Sequence, residues 1–92
     1  MRIENKSGTI LKTGVPQILL EKNDLRKGFF IQNVSPSHPI WINDMGQASS
    51  VDAGSIRIDP GVSISTLNSF PASNSEIYIL GHEGSNFACR EW

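Results

Sequence analysis

Cysteine occurs once in the 92 residues, at Cys89. A single thiol cannot close an intramolecular disulfide, which excludes a small secreted scaffold held by its own cross-links. Charge is sparse too: 18% of residues are Asp, Glu, Lys or Arg and the formal net charge is −1, where an average domain has ~25% charged residues. Without a basic field, neither nucleic acid nor an anionic membrane is expected as the principal partner. No apolar run approaches the ~20 residues that cross a bilayer as a helix. The N-terminal MRIENKSGTI lacks the apolar core of a signal peptide. The expectation is a soluble chain made in a cytoplasm.

Signatures of chemistry are equally scarce. There is no G-x-S-x-G, no phosphate-binding G-x-x-x-x-G-K and no G-x-G-x-x-G. His38 and His82 stand far apart, neither at the spacing of a zinc site, and each reads as a solvated loop residue. Asp44 and Asp52 lie in one loop without the ligand rhythm of a calcium site. The acids form no evident pair in an apolar surround, as general acid–base work would want. Cys89 shares the parity of Phe87 and reads as a buried strand residue, not a reactive thiol. Neither a catalytic residue nor a metal or cofactor is expected.

What the chain has is period two. Strands are expected over residues 9–13, 17–22, 25–35, 40–43, 56–58, 62–67, 76–81 and 86–92, punctuated by eight Gly and five Pro. Short strands at this spacing predict an all-β fold: a single small antiparallel β-sandwich or jelly roll of about eight short strands. Residues 1–92 form one domain, with residues 1–8 as an N-terminal arm. QILLEKNDL also suits a helical turn or two, because Leu and Glu favour helix. Loops over 44–54 and 68–75, rich in Ser, Asn and Gly, are either recognition surfaces or plain crossovers between sheets.

SIRIDPGVSIS, residues 55–65, sets a parity problem. Pairing Ile58 with Val62 and Ile56 with Ile64 around Asp59-Pro60-Gly61 buries all four on one face, with Arg57 and Ser63 outward. Pro60 then sits where the usual three-residue hairpin loop disfavours proline. A wider bend that passes between sheets removes the conflict.

Several strands are apolar on both faces. Trp41 opposes Ile40 and Ile42, Tyr78 and Leu80 oppose Ile77 and Ile79, and Ile18-Leu19-Leu20 and Phe29-Phe30-Ile31 are doubly apolar. A monomeric sandwich buries one face of each sheet. The second face is therefore covered, either by the chain's own arm and loops or by other copies. Leu19, Trp41, Tyr78 and Leu80, with the aromatic Trp92, are the candidate interface.

The run LRKGFFIQNVS…PIWIN…GSIRIDPGVSIS…EIYILG resembles small phage-encoded virion proteins. In these, an arm and hairpin lead to R-x-G-φ-φ-I-Q-N-x-S, where φ is apolar. A short aromatic strand, a P-G-x-S turn and an x-φ-Y-φ-φ strand follow. Here those positions are Arg26, Gly28, Ile31 to Asn33, Ser35, Trp41, Pro60-Gly61 with Ser63, and Tyr78. The match spans residues 8–90 and departs from the usual Thr/Val-rich ending at Cys89, Arg90 and Trp92. The resemblance implies a β-sandwich or jelly-roll subunit of a virion that decorates the capsid or belongs to the head or tail. It implies no catalytic residue. Expected partners are the chain itself, first as a homotrimer, and a capsid or tail protein. The competing expectation is a small ligand-binding module, for carbohydrate, using Trp41, Tyr78 or Phe70 for stacking.

Overall fold

The computed structural model describes residues 3–44, 55–66 and 75–92. Those residues contain no helix. They form β1 (Glu4–Asn5), β2 (Gly8–Thr9), β3 (Gln17–Leu20), β4 (Phe29–Asn33), β5 (Ile40–Asn43), β6 (Ile56–Ile58), β7 (Ser63–Ser65), β8 (Ile77–Leu80) and β9 (Asn86–Glu91). One antiparallel sheet runs β1-β9-β4-β7, with β2 also on β9; the other runs β3-β8-β5-β6. The expected β-sandwich is the fold. Phe70, Asp52 and all but the ends of the two long loops lie outside the described residues.

Parity places the core. In β4 and β9, Phe29, Ile31 and Asn33 face inward opposite Glu91, Cys89 and Phe87. From the other sheet come Ile40, Ile42, Ile58, Ile77, Ile79 and Leu20, all buried. The alternation that aligns the apolar residues also turns two polar groups inward, one at each end of β4: Asn33 itself, and Glu91 opposite Phe29. Each must find partners, because an unpaired buried polar group costs ~1–3 kcal/mol or more.

Asn33 is fully satisfied. Its Nδ2 donates to the carbonyls of His38 (2.8 Å) and Ile58 (3.0 Å), and its Oδ1 accepts from the Ser35 N–H at 2.9 Å. Its backbone carbonyl accepts from Gly61 N–H (2.8 Å) and its N–H donates to the Val62 carbonyl (3.0 Å). Glu91 meets Arg26, whose Nε donates to Oε1 at 2.7 Å. The same guanidinium donates to the carbonyls of Ser75 (2.9 Å) and Glu21 (2.6 Å), tying three segments together. Beside it, Gly28 leaves room for the Trp92 indole, which would lie 2.8 Å from any Cβ there.

The bend after β6 passes between sheets, as Pro60 suggests, and Ile58 with Val62 and Ile56 with Ile64 do not pair as a hairpin. The Val62 N–H donates to the Asp59 carbonyl at 3.0 Å. Pro60 and Gly61 are the two central residues, and Gly61 has φ 81°, the requirement of a type II turn. Proline is thus at the position that favours it, and β6 and β7 pair with β5 and β4 in different sheets. Ile58 and Ile64 turn to the core and Arg57 and Ser63 outward, as parity predicts. Ile56 and Val62 do not follow: they are 41% and 46% exposed, since Ile56 begins an edge strand and Val62 closes the turn.

The N-terminal segment corrects two further expectations. Residues 9–13 are not a strand beyond Thr9; the pairing on β9 comes earlier, at Glu4–Asn5 and Gly8–Thr9, so the arm is an edge of the sheet. Between them Ser7 takes over the ladder, its Oγ accepting from the Cys89 N–H at 3.0 Å. QILL is a strand, not a helical turn, and its register shifts between Ile18 and Leu20. The extra residue lets Leu19 and Leu20 both bury.

Asn33→Leu removes a donor from the buried Ile58 carbonyl and the part-buried His38 carbonyl, and the acceptor for Ser35 N–H. The expected loss is ~2–4 kcal/mol in urea unfolding. Gly61→Ala, forced into positive φ with open space around its Cβ, is expected to cost only ~1 kcal/mol. Equal losses in the two variants would show that the amide is no joint.

Candidate functional site

β5 and β8 are antiparallel neighbours with Trp41 opposite Leu80. Continuing that register past the strand ends sets His82 opposite Pro39 and next to His38. The two imidazoles stack, with centroids 4.0 Å apart and planes 10° from parallel. Sequence reading kept these histidines apart, because 44 positions separate them and only the strand pairing reveals the contact.

Each ring has one nitrogen occupied. His82 Nδ1 lies 3.0 Å from the Glu83 carbonyl; a carbonyl only accepts, so Nδ1 carries the proton and Nε2 is the acceptor of the neutral ring. His38 Nδ1 is 3.0 Å from Ser37 Oγ. That hydroxyl and imidazole belong to adjacent residues, Ser37 exposed and His38 half-buried, and among the described residues no third side chain hydrogen-bonds the ring as a nucleophile–base pair would want. Nor do the rings converge on an ion: a metal lies in the plane of each imidazole it binds, ~2.0–2.1 Å from nitrogen, and stacked parallel planes share no such point. Among the described residues no three His, Cys, Asp or Glu cluster as ligands.

Beside the pair lies a shallow cavity of about 270 Å³ walled by Thr13, Gly14, Pro39, Trp41 and Leu80. Two of its polar groups are already engaged. Thr13 Oγ1 accepts from the Glu83 N–H at 2.8 Å, and the Gly14 N–H donates to the Gly81 carbonyl at 3.3 Å. What remains for an occupant is the indole edge, prolyl and leucyl methylenes, and the imidazoles. The cavity is an apolar socket.

The five candidate interface residues divide. Leu19 belongs to the core cluster, so the bulge, not a second face, accounts for it. Leu80 is buried at the cavity wall, while Trp41, Tyr78 and Trp92 are half-buried. Trp92 is seated on Gly28 within its own chain. Trp41 and Tyr78 share the outer face of the β3-β8-β5-β6 sheet with exposed Ile18, the cross-strand neighbour of Tyr78. The Arg57 guanidinium lies 5.8 Å from the Trp41 ring, a cation–π contact. The strand expected over 25–35 begins only at Phe29, which leaves Leu25 in the turn before β4, 85% exposed.

Cys89 is buried, as its parity predicts. Burial, and secondarily the Glu91 carboxylate, pushes its thiol from 9.0 up to about 12, with Arg26 and Lys6 opposing. The folded state therefore keeps a proton that the unfolded chain releases near pH 9. Cys89 costs no stability below that pH, and stability falls as pH rises from about 9 towards about 12, with a slope of ~1.4 kcal/mol per pH unit. Cys89→Ala, less stable at neutral pH because of the cavity it leaves, is expected to show a shallower decline over that window in chemical denaturation. Parallel declines would refute the linkage.

Comparison of the chain with family models, with curated proteins and with solved structures finds no match, so the functional reading is carried by the chain's own geometry and sequence.

Proposed function

We propose that this chain is a non-enzymatic structural subunit of a phage virion, acting by self-association and by docking to a capsid or tail protein. One observation carries the reading: the outer face of the β3-β8-β5-β6 sheet presents Ile18, Tyr78 and Trp41 on adjacent strands. Apolar side chains on the face turned away from the core gain free energy by being covered, at about 25 cal/mol per Å². Aromatic anchors of this kind are enriched in protein interfaces.

Two further features support it. The buried polar side chains Asn33, Arg26 and Glu91 are spent on holding segments together. The residues that carry the resemblance to phage virion proteins are structural: Arg26 and Asn33 are those joints, Gly28 seats Trp92, and Pro60-Gly61 makes the turn between sheets. A carbohydrate module is less well supported. Arg57 already stands against Trp41, and the cavity beside it is walled mainly by the apolar side chains of Pro39, Trp41 and Leu80, where sugar hydroxyls need several polar partners.

Size exclusion with light scattering at micromolar concentration is expected to give a mass above that of the 10.1 kDa monomer, a trimer first among closed assemblies. Trp41→Ser and Tyr78→Ser are expected to lower that mass without changing the far-UV spectrum. A soluble monomer, indifferent to both substitutions, would remove self-association. Mass spectrometry of purified particles tests the virion assignment separately.

A further inference from the structure

We infer that the stacked imidazoles of His38 and His82 form an acid-operated partition: the rings stay face to face while at least one is neutral, and swing apart when both carry a proton. The inference concerns this pair alone and stands independently of self-association.

The pairing of β5 with β8 ends at Trp41 opposite Leu80, and beyond it the two segments are held to other neighbours. On one side, Asn33 Nδ2 donates to the His38 carbonyl (2.8 Å), and the His38 N–H donates to Ser35 Oγ (3.2 Å). On the other, the Glu83 N–H donates to Thr13 Oγ1 (2.8 Å), and the Gly84 N–H donates to the Ile10 carbonyl (3.0 Å). Across the gap stand the two rings, 4.0 Å apart and 10° from parallel. Both imidazoles line two cavities of about 270 Å³ each. One is the apolar cavity beside Trp41 and Leu80; the other runs along Val34, Pro36, Ser37 and Ser85. The stack is the wall they share.

That wall suits uncharged rings. Imidazole is the side chain whose ordinary titration falls between about pH 5 and 8, and two imidazolium charges at this spacing repel each other even with water beside them. A net negative surround could hold them together, and none is present among the described residues. The ring nitrogens meet neutral groups, Ser37 Oγ for His38 and the Glu83 carbonyl for His82. The charged side chains on the elements packed around the pair are Glu83 on the His82 turn, Lys12 on the N-terminal segment, and Arg57 on β6. Arg57 is itself paired with Asp59 at 2.7 Å, so the four charges cancel.

The rings can part without unfolding the chain. The backbones that carry them are anchored by the hydrogen bonds above, while His82 is exposed and His38 half-buried. Each ring therefore reaches solvent by rotating about its own side-chain bonds. Separation joins the two cavities and opens Trp41 to water from the side that the stack closes. Acid thus uncovers apolar surface at Trp41 and Leu80 that neutral pH keeps sheltered.

In the full chain, nuclear Overhauser cross-peaks between the two imidazoles are expected at about pH 7.5 and lost at about pH 5, with the far-UV spectrum constant. Acrylamide quenching of Trp41, read in a Trp92→Phe background, is expected to rise roughly twofold over the same interval. His82→Phe keeps a ring in the stack and removes one of the two charges, so its quenching is expected to stay flat with pH. His38→Phe repeats the test from the other side, and Glu83→Gln is expected to respond as the parent does. Cross-peaks and quenching that do not change in the parent would overturn the inference. So would a phenylalanine variant that still opens in acid, because one charge would then suffice. A Glu83→Gln variant that no longer responds would overturn it too, by making the carboxylate the group that senses acid.

Discussion

The carboxamide of Asn33 belongs to one sheet and donates to the Ile58 carbonyl of the other. This contact fixes where the two layers meet. The same residue accepts from Gly61 and Ser35, so the type II turn leaving β6 and the turn entering β5 are both referred to one point. An apolar side chain at this position would fill the space but take the Asn33 donor from the buried Ile58 carbonyl and the part-buried His38 carbonyl. The fold carries an amide there because the chain must cross between sheets next to it, and crossing backbone cannot supply its own ladder. At the far end of β4 the Arg26–Glu91 pair does the corresponding work. Breaking such a pair from one side is costly, because it strands a buried charge.

With both ends of β4 pinned, the surfaces take their places. The histidine stack and the cavity wall hang from the segment that Asn33 holds through the His38 carbonyl. The features read here as functional therefore stand on rigid supports, which is where an assembly contact is best placed, since little freedom is then lost on docking.

Much of this was legible in the sequence. Period two located 40–43, 56–58, 77–80 and 86–91 closely, because in those strands isoleucine, phenylalanine or cysteine recurs at every second residue, broken on the inward row only by Glu91 and by the exposed Ile56. The crossing between sheets at residues 59–62 was legible only through Pro60, which does not suit the hairpin loop that parity alone would draw. Two things were not legible. Leu19 looked like an outward residue because a bulge shifts the count by one and leaves no mark in composition. His38 and His82 looked unrelated because their contact depends on which strands pair. Among the described strands only β5 and β6 are both consecutive and paired, so local pattern finds the strands and says little about their neighbours.

That topology also governs when the fold can form. β9 is the strand on which β1, β2 and β4 all depend, and its ties to the N-terminal segment span 82 positions, as between Ser7 and Cys89. A growing chain emerging from a ribosome therefore carries β4 with one side unsatisfied, and β1 and β2 without their partner strand, until Asn86 to Glu91 have appeared. The earliest-made of these strands are among the last to be placed. Folding dominated by such distant contacts is slow for its size, and during the wait the unpaired edges are open to other copies of the same chain.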